Sequence, residues 1–231
     1  MIQIDNVSKR YSLRKALDNC TVTINKGKII GIIGENGSGK TTLVKILAGL
    51  MKPSKGVVRI DEKLVNRHIG ERVAFLSDRE YFYDYFSIEQ VIHFYGTQFP
   101  DFNREKAIEM LSLMKIDQTR KISHLSKGNK TRIKIIVTLA REVPYIIVDE
   151  PFSGLDPLVR KTIINGMLQF VDLDKQTLIM TTHELAEVEA ILDEVLLMKQ
   201  GKIIAYEAVE KIREQENMDV FGWMESHYSS C

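Results

Sequence analysis

The sequence predicts an α/β protein built around a mainly parallel sheet. Apolar runs of strand length alternate with longer runs of helical period over most of the chain. Strands that are separated by helices favour parallel pairing, because a crossover helix returns the chain to the start of the next strand. The run at 28–33, Lys-Ile-Ile-Gly-Ile-Ile, has the pattern of a strand buried on both faces.

The first part of the chain is predicted to be rich in β-structure. Ile2 and Ile4 alternate with polar neighbours, and Val22 and Ile24 do the same, so we expect N-terminal antiparallel strands. A helix at 41–50 and further strands at 56–60 and 72–76 complete a lobe of residues 1–77.

The middle of the chain is predicted to be an inserted helical lobe, residues 78–144. Apolar side chains recur there at helical spacing, as in Ala107, Met110, Leu111 and Met114. Strands then return in residues 145–210, at 145–149, at 177–182 and in a hairpin over 194–206. Residues 211–231 are expected to form a C-terminal tail, whose last part, residues 221–231, is loosely held.

The composition excludes several classes of protein. The 231 residues are 44% apolar and 27% charged with a net charge of +1, so no basic footprint indicates nucleic-acid binding. No apolar run approaches the length that spans a bilayer, and the N-terminus lacks a signal-peptide layout. Cys20 and Cys231 lack metal spacing and the five histidines are scattered. We expect a cytoplasmic protein with no transition-metal site.

Residues 34–41 match the phosphate-binding pattern G-x-x-x-x-G-K-[ST]. The matching residues are Gly34, Glu35, Asn36, Gly37, Ser38, Gly39, Lys40 and Thr41. The motif follows a predicted strand and precedes a predicted helix, which disfavours the alternative of a glycine-rich turn that binds nothing. We expect Lys40 to lie between the β- and γ-phosphates of a nucleotide, Thr41 to ligate Mg²⁺ and Thr42 to reach the α-phosphate.

An acidic pair, Asp149 and Glu150, ends the predicted strand at 145–149. A carboxylate at the carboxyl end of a parallel strand points into the crevice where ligands bind. Asp149 is expected to hold Mg²⁺, and Glu150 to polarise a water for attack on the γ-phosphate. Taken alone, the pair is equally typical of a solvated strand end before a turn at Pro151.

Several motifs occur in one order along the chain, and together they resemble a known family. They are Tyr11, "GENGSGKT" at 34–41, "LSKG" at 125–128, "IIVDEP" at 146–151, "SGLD" at 153–156 and His183. From about residue 2 to about residue 206 the chain resembles the ATP-binding subunit of an ABC transporter. The resemblance implies a P-loop NTPase fold with a RecA-like core, ATP and Mg²⁺ as cofactors, and ATP hydrolysis. The "SKG" variant and the single cassette resemble ABC-2-type exporters.

The resemblance implies roles for two further residues in the chain's own nucleotide site. Tyr11 would stack on the adenine, and the alternative is an exposed tyrosine at a strand end. His183 would contact the γ-phosphate and bridge it to Glu150. A lone histidine is more often structural, but its position at the end of a strand after the acidic pair favours the catalytic role.

The resemblance also implies residues that act across a dimer. Ser126 and Gly128 would close over the γ-phosphate bound by a second subunit, identical or a paralogue, and Asp156 would help to position that subunit's site. A separate membrane permease would convert dimer closure into transport, with the ATPase peripheral on the cytoplasmic face of the membrane. The alternatives are an ordinary helix start capped by Ser126 and a turn aspartate before Pro157.

Three positions depart from the family pattern. Asp78 stands where the family usually has a glutamine that senses Mg²⁺, and it could itself ligate the ion. Lys127 replaces the usual first glycine of the signature loop, and it either faces the opposing γ-phosphate or points away. Asn129 replaces a frequent glutamine, which is a milder change.

An aromatic stretch follows the Asp78 position, in the surface that receives the membrane subunit in this family. The aromatic residues are Tyr81, Phe82, Tyr83, Tyr85 and Phe86. They either grip the permease or anchor the helical lobe to the sheet, and exposed rings would favour the first role.

The sequence bears on functions other than transport. A soluble ATPase acting on ribosomes usually carries two such cassettes, and a DNA-repair member carries long coiled coils; this chain has one cassette and no coiled coil. A GTPase would carry an N-K-x-D motif, which is absent. A regulatory module that binds ATP with little turnover remains an alternative because of Asp78.

Overall fold

The structure is a computed structural model that describes residues 1–77, 82–215 and 217–229. The strands are β1 (Ile2–Tyr11), β2 (Arg14–Ile24), β3 (Ile29–Ile33), β4 (Lys55–Ile60), β5 (Lys63–Leu64), β6 (Val73–Leu76), β7 (Tyr145–Asp149), β8 (Thr177–Thr182), β9 (Glu194–Lys199) and β10 (Lys202–Ala208). The α-helices are α1 (Lys40–Leu47), α2 (Ile88–Gln98), α3 (Arg104–Leu113), α4 (Lys127–Leu139), α5 (Pro157–Phe170), α6 (Val209–Gln215) and α7 (Val220–Ser229). Among the described helices, none combines the length and apolar character needed to cross a membrane.

The strands form two sheets. The larger sheet has the order β10-β9-β3-β8-β7-β6, in which β9, β3, β8, β7 and β6 run parallel and β10 pairs antiparallel with β9. The smaller sheet has the order β2-β1-β4-β5 and is antiparallel. The predicted fold class is confirmed: a mainly parallel core, N-terminal antiparallel strands and helices between β6 and β7.

The larger sheet is the middle layer between two hydrophobic cores. Along β3, Ile30 and Ile32 belong to the core shared with α1 and the antiparallel sheet. Ile29 and Ile33 belong to the core shared with the helices on the other face, called here the helical-side core. Alternate residues of a strand point to opposite faces, so one short strand contributes to both cores. This double burial explains why residues 29–33 show no polar alternation.

The helices between β6 and β7 begin at conventional capping residues. Ser87 and Gln90 form a reciprocal capping box at the start of α2, and the Asn103 side chain accepts from the Lys106 amide at the start of α3. Ser126 caps α4 in the same way. Residues 78–81 of this predicted lobe, including Asp78 and Tyr81, lie outside the described residues.

The C-terminal segment is more ordered than the sequence suggested. Residues 220–229 form helix α7, whose Val220 is fully buried and whose Trp223 is 1% exposed against the helical-side core. The prediction of a loosely held tail is therefore wrong for these residues. Val220 and Trp223 lie on one face of this helix because they are three positions apart, and this spacing was the only trace of α7 in the sequence.

Burial of Trp223 predicts that α7 contributes to stability. Trp223→Ala should lower the free energy of unfolding by about 3 kcal/mol or more, because a large buried ring leaves a cavity. The measurement is urea unfolding followed by far-UV circular dichroism, with Phe221→Ala, on the same helix but 50% exposed, as the matched control. Equal and small effects of both substitutions would show that α7 does not dock.

Candidate functional site

The loop 34–39 joins β3 to α1 at the carboxyl edge of the parallel sheet. Two of its glycines are required by close backbone contacts. Gly34 has φ 148°, and a Cβ there would lie 2.3 Å from the Met198 carbonyl oxygen; Gly39 has φ 109°, and a Cβ there would lie 2.7 Å from the Ala16 carbonyl oxygen. The loop is thus pressed between the β1–β2 hairpin and the β9–β10 hairpin, with its backbone exposed toward the cavity.

Lys40 begins α1 and is only 5% exposed. Its ammonium donates to the carbonyl oxygens of Gly34 at 2.7 Å and Glu35 at 3.2 Å, and lies 3.7 Å from Glu150 Oε1. Burial lowers the pKa of Lys40, whereas the neighbouring Glu150 carboxylate opposes that shift. The loop therefore holds a largely desolvated cation, which favours an incoming anion.

A buried carboxylate lies directly opposite the start of α1. Asp149, the last residue of β7, is 1% exposed, and its Oδ1 accepts from the hydroxyls of Thr41 at 3.0 Å and Thr181 at 2.7 Å. Asp149 and Thr181 are partners in the parallel register of β7 and β8. Sheet pairing therefore fixes the carboxylate beside the hydroxyl of Thr181, and Thr41 in the first turn of α1 makes the second contact.

Glu150 and His183 form a second polar pair just beyond the same two strands. Glu150 Oε2 lies 2.7 Å from His183 Nδ1, and the Glu150 amide donates to the Thr181 hydroxyl at 2.9 Å. Glu150 has φ 48°, in the left-handed region that non-glycine residues rarely adopt. This backbone conformation turns the chain out of β7 and brings the carboxylate toward Lys40 and His183.

These residues surround one cavity of about 860 Å³. Ten of the predicted site residues line it: Tyr11, Asn36, Gly37, Gly39, Lys40, Thr41, Thr42, Asp149, Glu150 and His183. Arg14, Lys127 and Lys134 also line the cavity, so cationic side chains outnumber the two carboxylates. The cavity therefore favours a polyanion. The remaining predicted loop residues, Gly34, Glu35 and Ser38, belong to the same loop but not to the cavity lining.

Tyr11 ends β1 at the rim of the cavity and is 45% exposed. Its hydroxyl donates to Met51 Sδ at 2.9 Å, which orients the ring. An exposed ring of fixed orientation offers a face on which a planar base can stack.

The residues predicted to act across a dimer do not line the chain's own cavity. Ser126 and Asp156 are exposed and cap α4 and α5, accepting from the amides of Asn129 at 3.3 Å and Val159 at 3.0 Å. Gly128 faces α5, where a Cβ would lie 3.6 Å from Val159. Lys127 extends toward the loop before α5, since a Cβ on Gly154 would lie 2.8 Å from its ammonium. Lys127 thus faces its own cavity and the 153–156 loop.

The aromatic stretch divides into buried and exposed rings. Phe82 and Phe86 pack against the helical-side core, whereas Tyr83 and Tyr85 are 53% and 67% exposed. The two tyrosine rings lie 5.5 Å apart and each contacts Phe86 at 5.1 Å. The stretch therefore both anchors the lobe and presents an aromatic surface.

Comparison with known sequences identifies the family. The sequence model of the ABC transporter family matches residues 17–153, more than half of the chain. The chain belongs to the ABC transporter family. An uncharacterized ABC transporter ATP-binding protein of Methanocaldococcus jannaschii is 31% identical over 217 residues, covering 91% of this chain and 79% of that protein. The ABC transporter ATP-binding protein NatA of Bacillus subtilis is 29% identical over 233 residues, covering 95% and 94%.

Solved structures share the fold over nearly the whole chain. The ATP-binding subunit of an ABC transporter superposes with a TM-score of 0.86 at 22% identity, covering 99% of both chains. A dimeric cassette in a post-hydrolysis state with ADP and Pi gives a TM-score of 0.79 at 23% identity, covering 90% of this chain and 98% of that one. With the family match, the chain is an ATP-binding subunit of the ABC transporter type and an ATPase.

Three contributors to the site were missed from the sequence. Thr181 holds both Asp149 and Glu150, Arg14 lies beside Gly37, and Lys134 is a buried lysine in the cavity wall. Only Thr181 could have been found from the sequence, because it lies near the end of the predicted strand 177–182, two positions before His183, and that strand is the next one predicted after 145–149. Arg14 and Lys134 lie only a few positions after Tyr11 and the 125–128 motif, but neither belongs to a motif, and only the packing of the chain brings their side chains to the cavity.

The double role of Thr181 predicts a marked effect of removing its hydroxyl. Thr181→Val should lower the free energy of unfolding by about 2 kcal/mol, because the buried Asp149 carboxylate loses a donor and the Glu150 amide loses its acceptor. Urea unfolding measures the change. Thr162→Val, which removes a hydroxyl bonded only within α5, should change stability by less than about 0.5 kcal/mol. Similar values for the two variants would contradict the structural role of Thr181.

Proposed function

We propose that the cavity binds Mg-ATP with the site residues in the roles that the family resemblance assigns. The proposal rests on one observation: three separate segments of the chain bring their functional side chains to one cavity. These side chains are Lys40, Thr41, Asp149, Glu150 and His183. Lys40 and the amides of the 34–41 loop bind the β- and γ-phosphates, and Thr42 reaches the α-phosphate. Tyr11 stacks on the adenine.

The donor set fits a magnesium ion. Mg²⁺ takes hard oxygen ligands and is usually held by one or two carboxylates together with substrate phosphates. Thr41 Oγ1 and Asp149 Oδ1 are such oxygens, and they lie 3.0 Å apart in the cavity wall. Among the described residues no group of three or more His, Cys, Asp or Glu could hold an ion alone, in keeping with an ion that needs phosphates to complete its shell.

Hydrolysis follows from the placement of Glu150 and His183. The bound ion would supply charge neutralisation on the phosphates. The Glu150 carboxylate accepts a proton from the attacking water, and His183, 2.7 Å from that carboxylate, orients it and contacts the γ-phosphate. Lys40 stabilises the negative charge that develops on the phosphoryl oxygens.

The proposal includes completion of the site by a second copy or a paralogue, and the placement of the signature residues supports it. Ser126 caps α4 and Gly128 lies in its first turn, Asp156 caps α5, and none of the three lines the chain's own cavity. The amino ends of helices carry free amides and a positive dipole end, which suit a γ-phosphate held by another subunit. ATP then joins two subunits, and loss of the γ-phosphate after hydrolysis releases them.

A separate permease subunit would couple this dimer to transport, with the chain bound at the cytoplasmic face of the membrane. The exposed pair Tyr83 and Tyr85 supports a docking surface there. The "SKG" variant of the signature supports export as the direction. Copurification of a membrane protein with the chain tests this assignment, and a chain that never associates with membranes would contradict it.

Replacing Glu150 tests its role as the base. Glu150→Gln should slow steady-state ATP hydrolysis by about 100-fold or more while leaving ATP affinity within a fewfold of wild type. Phosphate release and nucleotide titration measure the two quantities. The control is Glu105→Gln, an exposed residue in the first turn of α3. Hydrolysis by the Glu150 variant at the wild-type rate would contradict the assignment.

Replacing Ser126 tests completion of the site by a second subunit. Combined with Glu150→Gln, Ser126→Asp should leave a folded chain, because aspartate caps a helix as well as serine does. The added negative charge should repel the opposing γ-phosphate and abolish the ATP-dependent dimer seen by light scattering. The matched control is Ser126→Asn, which caps without charge and should retain more of the dimer. ATP-dependent dimers of equal stability in both variants would exclude Ser126 from the interface.

A further inference from the structure

The last turn of α7 contacts the phosphate-binding loop. The Tyr228 hydroxyl accepts a hydrogen bond from the Glu35 amide at 3.1 Å and donates one to the Met198 carbonyl oxygen at 3.0 Å. Tyr228 lies 193 residues from Glu35 in the chain, so this contact depends wholly on the docking of α7.

The Glu35 amide belongs to the same peptide unit as the Gly34 carbonyl. That carbonyl accepts the 2.7 Å hydrogen bond from the Lys40 ammonium. A peptide unit is planar, and its N–H and C=O point in opposite directions. Tyr228 on one side and Lys40 on the other therefore hold the two ends of one rigid plane.

Neighbouring groups fix the position of Tyr228. The Lys199 ammonium donates to the Tyr228 carbonyl oxygen at 2.7 Å and lies 5.2 Å from the centre of its ring. The ring of Trp223, five residues earlier in α7, is buried. Burial also raises the pKa of the Tyr228 hydroxyl, so it stays protonated and can donate to Met198 while it accepts from Glu35.

We propose that Tyr228 is a positioning residue for the phosphate site, acting through the 34–35 peptide plane on Lys40. The hydroxyl holds the plane in the orientation that places the Gly34 carbonyl beside the ammonium. Without it only the Lys40 ammonium holds the plane, and the loop must be ordered again when a nucleotide binds. This inference rests on the proposed binding of phosphates by Lys40 and the 34–41 loop.

The effect of losing the hydroxyl should fall on binding rather than on chemistry. Tyr228 makes no hydrogen bond to Glu150 or His183, and a bound nucleotide orders the loop and Lys40 again, so the groups of the hydrolysis step are in place once ATP is bound. A preorganised loop holds substrate, transition state and product alike. Its loss therefore raises KM and leaves kcat unchanged.

Tyr228→Phe removes the hydroxyl and keeps the ring. One net hydrogen bond corresponds to an expected loss of about fivefold in the affinity for both ATP and ADP, with kcat within about twofold of wild type. The matched control is Ser229→Ala, the neighbouring residue, whose hydroxyl bonds only to the Glu225 carbonyl within α7. The inference is overturned if Tyr228→Phe binds both nucleotides as tightly as the Ser229→Ala variant.

Hydrogen exchange provides a local readout that general destabilisation would not reproduce. In the nucleotide-free wild-type chain the Glu35 amide should exchange slowly, and in Tyr228→Phe its exchange should rise at least about tenfold while amides of β3 stay protected. Fast exchange of the Glu35 amide in the wild-type chain would overturn the inference without any variant. Emission from Trp223, the single tryptophan, confirms that α7 remains docked in Tyr228→Phe.

The Lys40→Met variant distinguishes failure of this inference from failure of the proposed function. If Lys40→Met loses nucleotide affinity and Tyr228→Phe does not, the role of Tyr228 fails and the phosphate site stands. If Lys40→Met binds ATP as tightly as wild type, the phosphate-site assignment itself fails. The inference is supported only when both variants weaken binding, with the larger loss in Lys40→Met.

Discussion

The site depends on the close approach of the 34–39 loop to three other segments of the chain. Gly34 lies against the carbonyl of Met198, and Gly39 lies against the carbonyl of Ala16. The peptide between residues 34 and 35 is held by the Tyr228 hydroxyl. Any side chain at the two glycines would separate these layers. The antiparallel sheet, the β9–β10 hairpin and α7 thus all press on one loop, which leaves the other side of its backbone free to face the cavity.

The second constraint is the register of the parallel sheet. Strands β7 and β8 end at the same edge as β3, and their pairing places Thr181 opposite Asp149. One hydroxyl then fixes the carboxylate of Asp149 and the amide of Glu150. Thr41 and Asp149, 108 positions apart in the sequence, meet because parallel strands bring their carboxyl ends together.

Much of this arrangement could be predicted from the sequence because the strands and the loop 34–41 have strong local signals. Buried apolar runs predicted the parallel strands, and the glycine pattern predicted the loop between β3 and α1. The contributions of Arg14, Lys134 and Tyr228 could not be predicted, since each depends on how distant segments pack. The docking of α7 was also missed, because one buried tryptophan and one buried valine are too weak a periodic signal in a short segment.

The left-handed backbone of Glu150 has a consequence for how this position can vary. At φ 48° a glycine or an asparagine would adopt the same turn with less strain, so selection for folding alone would replace the glutamate. A chain that needed no glutamate at position 150 could carry glycine or asparagine there and still keep strand β7 and the buried Asp149. With Glu150 as the base that we propose, turnover and ease of folding would make opposite demands on this one side chain.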